Sequence, residues 1–180
     1  VLVCSALRDN GIKNLLDHIL QYLPSPIDRN PVNAFNPLRP DEKKDLVLRE
    51  DAPFSAFVFK NISDPFVGQL TLLRIFSGSL MANTGFYNVN RKLKERIGSI
   101  YLLQGKEQRQ IESASSGDII AIAKLKDTGV CDSLSADKEQ FLFEPIIFPE
   151  AAISASVKPK SREDEEKISG ALHKVAAEDP

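Results

Sequence analysis

At 180 residues, with 42% apolar and 27% charged side chains and a formal charge of −2, the chain has the composition of a globular protein able to bury one good core. The near-neutral balance excludes a histone-like coat for nucleic acid while leaving room for a local basic surface. No apolar run approaches the roughly 18 residues of a membrane span. Cys4 and Cys131, far apart and without neighbouring histidines, make neither a disulfide framework nor a zinc cluster, so a reducing, cytoplasmic setting is expected.

The chain opens on VLVCSAL, a short apolar run ending in Ser5, Ala6 and Leu7. From Gly11 to Leu23 the residues Ile12, Leu15, Leu16, Ile19, Leu20 and Leu23 recur at helical spacing and predict an amphipathic helix, which Pro24 and Pro26 stop. Such a stripe belongs on a sheet, yet only a few strand-like residues precede it. A short helix lying on the body that follows is the alternative reading. From Ser25 to Pro53 the sequence is rich in proline and charge and shows little period, so it reads as a linker.

From Phe54 the texture changes to short β-branched and aromatic runs separated by turn residues: FSAFVFKNI, the SDPFVG turn, QLTLLRIFSG, SLMANTGFYNVN, RIGSIYLLQG, RQIESASSGDIIAIAKL and FLFEPIIF. Short strands at regular spacing predict an all-β barrel or sandwich over about residues 52–148. Within the turns, Asp64, Pro65, Gly68 and Gly78 read as geometric, since proline fixes φ and glycine admits positive φ. After Pro149, AAISASVKPK predicts one strand and SREDEEKISGALHKVAAEDP a helix. Ser161 is its N-cap, acidic residues fill its first turn, and Ile168, Ala171, Leu172 and Val175 form its buried face. One strand and one helix make no core, so both ends read as pieces of neighbouring domains.

Two groups of charged residues stand out. Arg91, Lys92, Lys94 and Arg96, followed by Lys106 and Arg109, form a basic stretch. Strand alternation would project Lys92, Lys94 and Arg96 from one face, with Leu93 and Ile97 on the other, and cations so spaced can track phosphates. The bland alternative is a solvated strand balanced by Glu95 and Glu107, with Tyr87 and Tyr101 half-buried rather than stacking on bases. Arg74, inside an apolar run, reads either as an RNA or domain contact or, preferably, as a stem packed on the wall with its head in water. His18 and His173 lie on helices without a nucleophile at a recognisable spacing, Cys131 reads as a structural thiol, and the acids from Glu163 to Glu166 make one helix turn rather than a metal site.

The ordered set SAL, YLPSP, PFSAFVFK, DPFVGQLTLLRIFSG, ERIGSIY, SGDIIAIAKLKDT and PKSREDEEKISGALHKVAAEDP resembles bacterial translation elongation factor G over essentially the whole chain. The resemblance implies a mainly β protein built on a closed β-barrel of the translation-factor domain-two type. An N-terminal helix from an α/β GTPase domain and a C-terminal β-α piece of a ferredoxin-like α+β domain would flank it. Residues 1–29 would end the GTPase domain, 30–50 link, 51–149 form the barrel and 150–180 begin domain three. Ser5, Ala6 and Leu7 would offer backbone N–H groups to guanine. Arg74, Arg91, Lys92, Lys94 and Arg96 would face small-subunit ribosomal RNA.

GTP and magnesium would serve the longer protein, a GTPase promoting translocation of tRNA and mRNA, and neither is expected to bind this chain, which has no G-x-x-x-x-G-K-[ST] and no N-K-x-D. The ribosome is the implied partner; membrane and DNA are not. Family members usually carry glycine at the place of Cys131, and the stretch from Asn33 to Leu48 is individual. These departures leave open a paralogue, a recycling factor or a ribosomal-protection protein of the tetracycline-resistance kind. A non-enzymatic barrel that binds RNA or protein is the remaining alternative.

Overall fold

A computed structural model of the chain describes residues 1–64, 67–105 and 107–179, with the side chains of Pro40, Glu163 and Glu166 outside the description. The sequence expectations that rest on Pro65, Lys106 and those two glutamates therefore lie outside the described residues. The chain divides into two units, Val1–Asn30 and Pro31–Pro180.

In the first unit, a three-residue 3-10 turn at Ala6–Arg8 leads to helix α1, Ile12–Tyr22, within the predicted span. Gly11 starts the helix in the left-handed region at φ 74°, and none of its side chains is buried. The apolar stripe predicted for it is thus formed but bare: Leu16, Ile19, Leu20 and Leu23 are all exposed.

The second unit is mainly β. Strands β1 (Val32–Asn36) and β2 (Arg39–Leu46) pair as an antiparallel hairpin. Part of the stretch read as a linker at 30–50 thus carries a hairpin, which its lack of period did not announce. The hairpin is charged along β2, but Phe35 exchanges hydrogen bonds of 2.7 and 3.0 Å with Leu142, and Ala34 and Leu46 bury against Phe141 and Phe143. The order that the local sequence does not encode comes from that distant contact.

Eight strands make the main sheet, in the order β7 (Leu93–Arg96), β6 (Gly85–Asn88), β12 (Ser133–Ser135), β3 (Ser55–Asp64), β4 (Gly68–Ser77), β11 (Ile119–Ala123), β8 (Ile100–Gln104) and β9 (Glu107–Ile111), with antiparallel neighbours throughout. A further pair joins β5 (Ser79–Met81) to β10 (Ser113–Ser115). Among the described residues no backbone ladder joins β7 to β9, so the sheet is not closed by hydrogen bonds. It nevertheless curls, because Phe86 of β6 and Ile100 of β8 share one core with Val58, Leu73, Ile75, Ile120, Ile122 and Leu134.

Strand alternation explains both cores. Ala56, Val58, Leu73 and Ile75 point into the main core, while Phe57 and Phe76 pack outward on Phe141 and Phe143 under the β1–β2 hairpin. Gly68 and Gly78 take φ of 89° and 68°, and the Asp64 carboxylate accepts from Val67 N–H at 2.8 Å to shape the turn, as expected for geometric residues.

The C-terminal stretch departs from expectation in two ways. Residues 151–160 form no strand, since no neighbouring strand is there to take up their backbone groups. Helix α2, Arg162–Glu178, is capped by Ser161, whose hydroxyl accepts from Asp164 N–H at 3.3 Å. Its apolar face is not buried, with Leu172 and Val175 exposed. Its C-terminal end is tied down by Asn61 Nδ2 donating to Ala177 O at 3.2 Å and Ser63 N–H donating to Glu178 Oε1 at 2.7 Å. No helix among the described residues is long and apolar enough to cross a membrane.

Candidate nucleic-acid interface

The basic stretch forms the β6–β7 hairpin. Its register sets Tyr87 opposite Lys94, Phe86 opposite Glu95 and Gly85 opposite Arg96. Lys94 and Arg96 share the exposed face of β7, and Leu93 and Glu95 are half-buried on the other. Lys92 is a correction. It does not join that face, because it precedes the strand at φ 58°, and a left-handed residue breaks the alternation on which the expectation depended. A hollow of about 360 Å³ opens here, lined by Asn83, Thr84, Phe86, Tyr87, Lys94, Arg96 and Asp137 among others. Tyr87 and Tyr101 are both half-buried.

Acids distant in sequence hold this hairpin. Lys94 Nζ meets Asp137 Oδ2 at 2.6 Å, with both side chains more than half exposed. Arg91 Nε meets Asp132 Oδ2 at 3.4 Å. Glu95, expected to balance the basic strand, instead accepts from the Thr128 hydroxyl at 2.7 Å and from the N–H groups of Lys126 and Asp127, fastening the 126–128 loop to β7. Beneath lies a buried polar network in which Asn88 Nδ2 donates to Thr128 Oγ1 at 3.1 Å and to Asp132 Oδ2 at 2.9 Å, while Asn88 Oδ1 accepts from Arg91 N–H at 3.0 Å. Sequence reading missed Asp132, Asp137 and Lys126, which carry no local signal and matter through pairings across 31 to 43 residues.

Arg74 stands apart. On β4 it is separated from β7 by β3, β12 and β6, about 19 Å of sheet at the usual strand spacing. It pairs across the ladder with Phe57 and Ile119, and its guanidinium lies 5.8 Å from the Phe76 ring centroid. That geometry suits a stem packed on aromatic wall, although its buried Nε finds no acceptor. Arg109 lies on β9, the opposite edge of the ladder from β7.

In the first unit, Ser5, Ala6 and Leu7 form the loop predicted to meet guanine. Ser5 N–H donates to Asn10 O at 2.9 Å, and Ser5 O accepts from Arg8 and Asn10. Ala6 and Leu7 are both exposed, in a turn braced by those bonds. The expectation of a guanine contact rests on the Ala6 and Leu7 amides alone. The sequence has no glycine-rich phosphate loop. Among the described residues no three His, Cys, Asp or Glu side chains gather where they could hold a metal ion.

Cys131 adopts φ 68°. This conformation costs an L-residue about 1–2 kcal/mol and glycine little. Its thiol accepts a weak bond from Ile146 N–H at 3.4 Å. Cys131→Gly is expected to stabilise the protein by about 0.5–1 kcal/mol, seen as a higher urea midpoint, whereas Cys131→Val should lower it, because a β-branched residue suits that region least.

Comparison with known proteins matches residues 53–137 to Elongation factor G domain 2 and residues 148–180 to Elongation Factor G, domain III. Among solved structures, a crystal structure of a protein from Thermus thermophilus superposes with a TM-score of 0.74 at 27% identity, over 98% of this chain and 24% of that one. The chain therefore spans about a quarter of the length of the protein it matches. With the domain 2 match falling on the curled sheet and the domain III match on the segment that ends in α2, the chain belongs to the elongation factor G family.

Proposed function

We propose that this chain is the ribosome-docking part of a cytoplasmic translational GTPase that promotes movement of tRNA and mRNA. In this reading the curled sheet is a barrel of the domain-two kind and meets small-subunit ribosomal RNA through the β6–β7 hairpin. The observation that carries the reading is the pair Lys94 and Arg96 on one exposed strand face, in a chain of this family. Residues two apart on a strand stand about 6–7 Å from each other, close to the spacing of successive phosphates. Among the described residues Lys94 is held by the exposed Asp137 alone, and such pairs are worth about 0–1 kcal/mol, so a phosphate can replace that partner at little cost.

The test is a salt titration of the chain's binding to purified small ribosomal subunits. Each lost phosphate contact lowers the slope of log K against log salt by about one, so Lys94→Ala with Arg96→Ala should flatten it by about two. An unchanged affinity and slope in that double variant would overturn the reading.

Ser5, Ala6 and Leu7 belong in this proposal to the guanine end of a GTP site. In this reading the amides of Ala6 and Leu7, donors as guanine's carbonyl requires, suit that carbonyl and oppose the amino group of adenine. With no loop to cradle phosphates, the 180-residue chain is expected to bind a fluorescent GTP analogue negligibly; low-micromolar binding in a fluorescence titration would overturn that expectation.

A further inference from the structure

The buried Asp132 has a geometry that goes beyond charge balance. Its side chain is 6% exposed, while that of its partner Arg91 is 56% exposed. One carboxylate oxygen, Oδ2, accepts from Gly129 N–H at 2.8 Å, Asn88 Nδ2 at 2.9 Å and Arg91 Nε at 3.4 Å. The first two donors are neutral and belong to the domain's own framework, so the carboxylate is fixed whether or not the arginine is present. Arg91 is pinned a second time at its backbone, by the bond from its N–H to Asn88 Oδ1.

The guanidinium is also seated from below. A Cβ added at Gly129 would stand 3.6 Å from Arg91 Nη2, so one terminal nitrogen of the guanidinium lies close to a residue without a side chain. The same head lines a hollow of about 490 Å³ whose wall includes Lys126 and Thr128, with Asp127 and Ala177 also on it. Lys126 is anchored through its own N–H to Glu95, which leaves its side chain exposed and outside any ion pair among the described residues.

We propose that Asp132 is a positioning residue. By engaging Nε it holds Arg91 so that the exposed remainder of the guanidinium is presented in a fixed direction to a phosphate of the docking RNA. An arginine alone can do this, since its fork presents separate edges to two acceptors. A lysine has one ammonium, which must choose between Asp132 and the phosphate. The inference rests on the reading of the β6–β7 hairpin as the RNA-facing surface and adds Arg91 and Asp132 to it in distinct roles.

The experiment compares variants of the whole chain for binding to purified small ribosomal subunits. Arg91→Ala is expected to weaken binding about tenfold. Arg91→Lys should lose as much, although it keeps the charge and alters only an exposed head group outside the core. Asp132→Asn keeps an oxygen for Gly129 and Asn88, so the domain should fold; it should weaken binding to a similar extent, and adding Arg91→Ala should cause little further loss. A wild-type affinity and salt slope for Arg91→Lys, while Arg91→Ala and the Lys94→Ala, Arg96→Ala pair weaken binding, would overturn the positioning role and leave the docking reading intact. No loss in any of these variants would overturn both.

Discussion

Gly78→Ala is expected to destabilise the protein by about 2–5 kcal/mol. Gly78 has φ 68°, and an added Cβ would lie 2.5 Å from Ala52 O and 2.7 Å from both the N and Cα of Phe54. All three obstacles are backbone, and they belong to the segment that crosses over the end of β4, where Gly78 N–H also donates to Arg49 O at 2.8 Å. The left-handed conformation accounts for about 1–2 kcal/mol and forced displacement of packed chain for about 1–3 more. Against a total stability of about 5–15 kcal/mol, this leaves a marginal fold. Gly98→Ala is the control: nothing lies within 4 Å of its added Cβ, and its φ is not positive, so its urea midpoint should stay near that of wild type or rise slightly. Equal midpoints for the two variants would refute the close approach at Gly78.

Asn88→Ala should have a comparable effect for a different reason. Asn88 is 0% exposed and makes three hydrogen bonds, to Thr128, Asp132 and the backbone of Arg91. Truncation deprives a buried carboxylate of a donor and a turn N–H of its acceptor. At about 1–3 kcal/mol for each stranded buried group, the loss should be about 2–4 kcal/mol in urea unfolding. Asn88→Asp adds a sharper test. It would set a second carboxylate against Asp132 at hydrogen-bond distance, where both cannot remain ionised, so its folded pKa rises. A raised carboxylate pKa gives stability that is lost as pH climbs through it, so the deficit of Asn88→Asp against wild type should grow from acid to neutral pH. A deficit independent of pH would mean that water reaches and screens the pair.

How much of this was legible depended on whether the deciding partner was near in sequence. Strands β3 and β4 could be read because alternating Ala56, Val58, Leu73 and Ile75 mark one buried face and SDPFVG marks the turn between them. The β1–β2 hairpin could not. Its second strand begins Arg-Pro-Asp-Glu-Lys-Lys, and the bridge that orders the hairpin runs from Phe35 of its first strand to Leu142. The segment at 151–160 failed in the opposite sense: its composition suits a strand, but a strand needs a neighbour.

At the interface the basic residues themselves were visible. Their arrangement was not, because one left-handed residue, Lys92, shifts the phase, and because Asp132, Asp137 and Glu95 reach across the fold to hold Arg91, Lys94 and the 126–128 loop. Alternation describes faces within an unbroken strand and says nothing of what lies across it.

The position of β12 has a consequence for the order in which the protein is made. This short strand, Ser133–Ser135, lies between β3 and β6 and pairs with both, although it is the last of the sheet to leave the exit tunnel. Until then the nascent chain holds β3 and β6 with their facing edges open, and the buried Leu134 that joins the two halves of the core has not yet been added. Pairings of long sequence separation form slowly, and open edges invite pairing with other chains. A pause that holds Ser133 inside the tunnel would thus expose the most adhesive intermediate, and a pause after Phe143 has emerged, when Phe141 and Phe143 can close the outer cluster, would expose far less.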